Sequence, residues 1–327
     1  MDYYLYKLRF DRAVHFGPSD SSLSLSGASD HFCADTLFSA LCHTARALWG
    51  DAGLDALCAQ VRAGELLLSD GMPWRERGAD DIYYIPKPCA VSGLKQDIPL
   101  KLRKTMKKLS WLPVNDVEAF AASLRGEGFY VPEAETPLGV VEQRTCAAIQ
   151  GGQDARPYQV SAYRFFPGCG LYFLAGCATS AQGEQLSRLL TALGLSGFGG
   201  KVSAGYGTFQ LEDTLYLNEP FDFQTEWLYN ALTADAPSHY LLLTSSLPAD
   251  NELDAALDGA QYQLVRRGGF VQSDAFSDSP LKKQTQYFLA SGAMLKRPFS
   301  GGLYQVGQGG RHPVYRYAVP LMLGVSF

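Results

Sequence analysis

The chain has 327 residues, 46% of them hydrophobic and 19% charged, a balance that excludes a disordered polymer and calls for a packed core. At this length two compact units are the expectation. A net charge of −5 and a pI near 5.6 exclude a protein that coats nucleic acid over its whole surface, because phosphate binding draws on clustered Lys and Arg.

The predicted elements begin with a strand: Tyr4, Tyr6, Leu8 and Phe10 alternate with Tyr3, Leu5, Lys7 and Arg9, the two-residue period of a half-buried strand. The stretch from Gly17 to Ser29 is rich in Gly and Ser. Asp35 then stands as N-cap of a helix whose Leu37, Phe38, Leu41, Ala45, Leu48 and Trp49 repeat at helical spacing up to Gly50. Glu65 to Ser69 reads as a short strand. From Asp70 to Arg156 the composition turns to Pro, Gly and charge without a sustained period, which marks an insertion. Tyr158 to Phe166 and Gly170 to Ala178 read as the two strands of a hairpin about Pro167-Gly168-Cys169-Gly170. Leu186, Leu189, Leu190 and Leu193 mark an amphipathic helix, and a glycine loop and a strand from Tyr206 to Leu217 follow it. This order suits a ferredoxin-like domain over residues 1–218, with the insertion at 70–156.

Pro220 to Pro237 reads as a connector. Tyr240–Thr244 is a strand and Asn251–Leu257 a short helix; the strands Tyr262–Arg266, Gln286–Leu295, Leu303–Val306 and Tyr315–Val325 follow. A second, degenerate ferredoxin-like unit over 219–327 fits this pattern. The fold class is therefore α+β, with two ferredoxin-like (RRM-like) domains and a thumb-like insertion in the first.

Charge is segregated along the chain. Residues 212–258 hold ten Asp or Glu and no Lys or Arg, whereas 262–316 hold eight Lys or Arg and two Asp. One face is thus suited to RNA and another to a protein partner or solvent. The seven cysteines are scattered and contain no C-x-x-C pair, so reduced, buried thiols are expected, with no metal site and no cofactor. The opening MDYYLYKLRF places Asp2, Lys7 and Arg9 where a signal peptide would be apolar, and no run is long enough to span a membrane; a cytoplasmic protein is expected.

The segment Leu193 to Phe209, LGLSGFGGKVSAGYGTF, follows a helix and precedes a strand. Rossmann and Walker loops have the opposite polarity, since they follow a strand and open a helix. Val202 stands where the third Rossmann glycine belongs, and Gly200-Lys201 lacks both a glycine at 195 and a following Ser or Thr. Neither nucleotide motif is present. Gly197, Gly199, Gly200, Gly205 and Gly207 surround Lys201 and Ser203, with Tyr206 among them. Such a backbone can approach a phosphate closely and its amides can form an anion nest; a tight helix-to-strand connection is the alternative.

Gly197 to Phe209 resembles the glycine-rich loop of the RAMP superfamily of CRISPR proteins. The first strand with His15-Phe16-Gly17 after it, the helix start Asp35 to Leu41 and the tail Pro313 to Tyr317 are similar to one branch, the type III-A (Csm) effector subunit that caps the 5′ end of the guide RNA. The resemblance runs over most of the chain and is strongest in 1–50 and 158–210. It implies two ferredoxin-like folds, binding of the repeat-derived 5′ tag of the crRNA, and contact with the large signalling subunit and the first backbone RAMP subunit in antiviral defence. Target RNA would be met only indirectly.

Lys101, Arg103, Lys104, Lys107 and Lys108 form a cationic run with Trp111 close behind, which suits phosphate contact and base stacking; a solvated charged face is the alternative. The insertion that carries them resembles the thumb of RAMP subunits. Arg266-Arg267 and Lys296-Arg297 set paired cations beside glycines and are candidates to extend an RNA groove. His15 is expected to serve a structural or RNA-contact role. In the alternative reading the chain is a RAMP endoribonuclease that processes precursor crRNA, with His15 in metal-free acid–base catalysis. His43 is expected on the solvent side of the first helix. No paired-aspartate metal turn, His-Asp doublet or G-x-S-x-G elbow appears in the sequence, and no enzyme is expected.

Overall fold

The computed structural model describes residues 1–17, 25–78, 80–89, 100–133, 137–148, 156–273 and 275–326, the side chains of Leu100, Lys101 and Ala148 excepted. The alternating opening forms β1 (Asp2–Phe10), followed by α1 (Ala34–Arg62), β2 (Leu66–Leu68), β3 (Met72–Arg77) and β4 (Asp80–Pro86). Then come α2 (Leu100–Lys108), β5 (Trp111–Pro113), α3 (Val117–Arg125), β6 (Gly139–Ala148), β7 (Arg156–Phe165), β8 (Cys169–Cys177), α4 (Ser180–Ser196) and β9 (Phe209–Tyr216). The remaining elements are α5 (Phe223–Leu232), β10 (His239–Leu242), α6 (Leu253–Leu257), β11 (Leu264–Arg267), β12 (Gln286–Leu289), β13 (Met294–Leu295), β14 (Leu303–Gln305), β15 (Tyr315–Tyr317) and β16 (Met322–Val325). No described helix is long and apolar enough to cross a membrane.

The main sheet runs β5-β4-β3-β8-β1-β9, with β2 also paired to β8, and its pairings are antiparallel. Within it, β9-β1-β8-β2 together with α1 and α4 has the split β-α-β order of a ferredoxin-like unit. The helices bury one sheet face: Leu37, Phe38 and Leu41 of α1 and Leu186, Leu189 and Leu190 of α4 join Tyr6, Leu8 and Phe173 in one core. The opposite face is covered from elsewhere. Leu5, Tyr172 and Leu174 pack against Val117 and Phe120 of α3, Leu228 of α5, and Leu241, Leu321 and Leu323 of the C-terminal strands. The three-stranded sheet β13-β10-β16 therefore shares a core with the first sheet.

Several expectations are corrected. Strands β7 and β8 do not form a hairpin: β7 pairs with β6 over ten residue pairs, from Gly139↔Phe165 to Ala148↔Arg156, while β8 lies between β1 and β3 in the main sheet. The Pro167-Gly168 signal marks a real turn, but the chain changes sheets there. The stretch from Asp70 is not wholly an insertion, because β3 continues along β8 beyond β2. The segment 220–237 is not a plain connector, since Asp222 opens α5 with a capping box: its carboxylate accepts from Thr225 N at 2.7 Å. Gly50, with φ 68° and ψ −164°, does interrupt α1, yet helix resumes beyond it with Leu57, Cys58 and Val61 buried.

Asp35 is not the N-cap. Cys33 holds that position without a side-chain cap, and the first helical amide, Ala34 N, is satisfied at 2.7 Å by Asp70 from another element. The Asp70 carboxylate also accepts from Ser245 N at 3.0 Å and Ser245 Oγ at 2.6 Å, so one buried acid ties α1 to the segment after β10. Asp35 is released for a different use.

Candidate nucleic-acid interface

Helix α4 ends at Gly197, whose φ of 74° lets the chain turn back, and whose N–H donates to Leu193 O at 2.7 Å. Phe198 then drops into an aromatic nest of Phe10, Phe16, Phe32 and Phe209 and is 2% exposed. The loop closes on itself and on the segment after β1: Phe198 N donates to Gly207 O at 3.2 Å, Gly200 N to His15 O at 2.8 Å, and Gly207 N to Ala13 O at 3.1 Å. Ala204 N and Gly205 N donate to Lys201 O and Val202 O. These amides are committed to backbone carbonyls and so are not the ones that could receive an anion. What it presents outward is the exposed turn Val202-Ser203-Ala204 and Lys201, a non-glycine residue at φ 61° whose Nζ lies 5.2 Å from the Tyr158 ring centroid. Tyr206 is half-buried beside it.

His15 lies beneath this loop. Its ring is 5% exposed and Nδ1 is 2.6 Å from Ser161 O, so Nδ1–H donates to that carbonyl. A Cβ on Gly200 would overlap the ring. His15 is a packed residue under the glycine loop.

Beside the loop opens a cleft of about 1410 Å³. Its walls are the His15–Gly17 and Gly27–Cys33 segments, the outward side of the first half of α1, the turn Gly197–Gly200, and the strand and loop Leu264–Phe270. Two glycine-flanked segments far apart in sequence thus meet across one opening. Along β11 exposure alternates, so Arg266 points outward and Arg267 inward. Leu264 and Phe270, 60% and 47% exposed, give this wall an apolar surface next to Arg266, the mixture that base stacking uses.

Arg267 is not a surface cation. It donates through Nε to Asp35 Oδ2 at 3.0 Å, through a terminal nitrogen to Asp35 Oδ1, and to Thr36 Oγ1 at 3.0 Å. Arg316 Nε lies 3.7 Å from the same carboxylate. Burial alone would raise the Asp35 pKa, but the attraction and hydrogen bonds of Arg267, with Arg316 and Lys283 behind it, hold it below its ordinary value. Lys283 and Arg316 also line the cleft, and neither stands out in the sequence. Only the fold brings Lys283 near enough to Asp35 for their charges to act on each other. His43 is exposed, as expected, and lies on the cleft wall.

In α2, Arg103, Lys104, Lys107 and Lys108 are exposed; the side chain of Lys101 lies outside the described residues. Trp111 is half-buried, its indole N–H donates to Asp30 Oδ2 at 3.1 Å, and its ring meets His31 edge-on at 5.3 Å. Asp30 and His31 belong to the cleft rim, so Trp111 fastens the end of the basic helix to that rim and is not a free stacking platform. Lys296 and Arg297 are exposed but sit apart from the cleft, against α6, where Arg297 comes within 3.9 Å of Asp258.

A family profile described as the CRISPR Csm4 C-terminal domain matches residues 235–325. The chain is 39% identical over 326 residues to the CRISPR system Cms protein Csm4 of Mycobacterium tuberculosis (strain CDC 1551 / Oshkosh), with 98% of this chain and 97% of that one covered. It is 30% identical over 329 aligned residues to the protein of the same name from Streptococcus thermophilus, with 98% of each covered. Among solved structures, its fold is similar to a chain of the Csm3-Csm4 subcomplex in the type III-A CRISPR-Cas interference complex, with a TM-score of 0.64, 16% identity and full coverage of both chains. It is also similar to a chain of the Csm1-Csm4 cassette in complex with cA4, with a TM-score of 0.59, 19% identity, and coverage of 100% of this chain and 98% of that one.

Proposed function

We infer, from the premise that the chain belongs to the Csm4 family, that it is the non-catalytic subunit of a type III-A CRISPR effector complex that holds the repeat-derived 5′ tag of the guide RNA. The observation that carries this reading is the cleft in which the Gly197–Gly200 turn faces Arg266 to Gly269. Arg266 supplies charge on the cleft wall and Lys201 on the outer side of the glycine loop, Leu264 and Phe270 supply stacking surface, and exposed cations of α2 extend the path for a backbone. Retention, not cleavage, suits His15, which is buried under Gly200 with Nδ1 committed to Ser161.

The chain is assigned two protein partners, the large signalling subunit and a backbone RAMP subunit. Structural neighbours occur in a Csm1-Csm4 cassette and a Csm3-Csm4 subcomplex, which supports that pair. The acid-rich stretch 212–258 is assigned to a protein contact, since Tyr216, Phe221 and Phe223 are exposed beside its acidic residues. Division into units at 218/219 and a cytoplasmic location complete the proposal.

The test is incubation of the full chain with labelled repeat-derived RNA in EDTA. Salt-dependent retention without cleavage is expected. Lys201→Ala combined with Arg266→Ala should reduce the salt slope by about 2 and weaken binding on the order of tenfold or more at physiological salt. RNA binding that does not vary with salt would count against the reading, and cleavage that disappears in His15→Ala would replace it with the endoribonuclease.

A further inference from the structure

At the inner wall of the cleft three cations surround one carboxylate. Arg267 commits its guanidinium to Asp35 and Thr36. Arg316, 3% exposed, donates to Gln284 O at 2.9 Å and Gln286 Oε1 at 3.0 Å while its Nε faces Asp35 at 3.7 Å. Lys283 is placed between these groups by its own backbone: its N–H donates to Gly269 O at 2.8 Å, and the next residue, Gln284, carries the carbonyl that Arg316 holds. Among the described residues, no carboxylate lies within ion-pair distance of Lys283 Nζ, and its side chain opens into the cleft.

Asp35 thus faces three positive charges, and Asp70, further off, acts on Arg267 alone of the three. Burial lowers the Lys283 pKa, Arg316 and Arg267 lower it further, and Asp35 offsets only part of this. His43, on the same cleft wall, is held below the ordinary histidine value by desolvation and then by Lys283 and Arg46. Among the described residues, Lys283 therefore has cations beside it and no carboxylate paired with it. An ammonium in such a place has three donors to offer and gains most from a group that brings negative charge into the cleft.

We propose that Lys283 is the anion-receiving residue of the cleft, taking one non-bridging oxygen of an RNA phosphodiester, with Arg267 and Arg316 supplying field but no direct contact. The identity of the ligand as RNA rests on the function proposed above; the anion site itself does not. A consequence follows for the ligand-free chain, in which Lys283 is a source of repulsion, so its removal relieves strain while weakening binding.

The experiment compares the full-length chain with Lys283→Met and Lys283→Arg. In chloride buffer, Lys283→Met is expected to melt at or above the wild-type temperature. Replacing chloride with inorganic phosphate at constant ionic strength should raise the melting temperature of the wild type and of Lys283→Arg by more than that of Lys283→Met, which reports only the general salting-out effect of phosphate. Affinity for labelled single-stranded RNA should fall about tenfold in Lys283→Met, and its salt slope should be smaller by about 1. A lower melting temperature for Lys283→Met in chloride would make the residue a structural one and overturn the proposal, as would an equal phosphate shift in both proteins. Unchanged RNA affinity and salt slope in Lys283→Met, with wild-type binding intact, would also overturn it. A Lys283-dependent phosphate shift in a chain that binds no RNA would uphold the anion site and reject the guide-holding function instead.

Discussion

Replacing Asp35 with alanine is expected to destabilise the chain by about 3–5 kcal/mol, the usual loss when one partner of a buried ion pair is removed and the other is left uncompensated. Asp35 and Arg267 are 9% and 13% exposed at their side chains, and Arg316 is 3% exposed, so water cannot substitute for the missing carboxylate. The three residues belong to α1, β11 and β15, and the change therefore weakens the join between the N-terminal helix and the C-terminal ribbons. Urea unfolding measures it, and a loss below about 1 kcal/mol would reduce the cluster to the rank of a surface pair. Acid provides a second check. Because the folded pKa of Asp35 lies below its ordinary value of 3.8, its contribution is complete above that value and is lost as the pH falls through the lower folded one. The stability gap between wild type and Asp35→Asn should accordingly persist at pH 3.8 and above and close only in stronger acid.

The second large effect is expected at Gly207. It sits at φ 77°, where an L side chain is strained, and a Cβ there would overlap the carbonyl oxygen of Phe198. Gly207→Ala combines a left-handed penalty of about 1–2 kcal/mol with an overpacking penalty of about 1–3 kcal/mol. Gly309 is the control, with φ 72° and open space around its would-be Cβ, so Gly309→Ala carries the first penalty alone. Because Phe198 anchors the turn that bears Lys201, the Gly207 variant should also retain less RNA than Gly309→Ala. Equal melting temperatures for the two variants would show that the loop relaxes and that its closure is not the constraint described.

Much of this architecture is legible from periodicity. The alternation in β1, the helical spacing in α1 and α4 and the glycine loop all lie within single elements, where local pattern is sufficient. Pairing partners are not local. The turn at Pro167-Gly168 is visible, but nothing in the residues of β7 says that they match β6 in preference to β8. The helix α5 was hidden in an acidic stretch, although Asp222 with Thr225 three residues on was an available start signal. At the cleft, the glycines and Arg266 could be found from sequence, whereas Lys283 and Arg316 could not, because their roles depend on a carboxylate more than 200 residues away. Asp35 shows the same limit. An acid ahead of a helical repeat looks like a cap, and only the approach of Asp70 to Ala34 leaves it available to Arg267.

The shared core also governs how the chain comes off the ribosome. Asp2 pairs with Cys177, so β1 is synthesised long before β8 exists to receive it, an interval of about 10–30 s at ordinary elongation rates. Even then the second face of the sheet, part-covered by Val117 and Phe120 of α3, is not closed until Leu321, Leu323 and Val325 have been made. The pairs β3–β4 and β6–β7 can form as they are made, but β1 stays without its main-sheet partners until β8 and β9 exist. Docking of other subunits onto this face belongs after those C-terminal strands have closed it, and chaperone demand should be highest before they do.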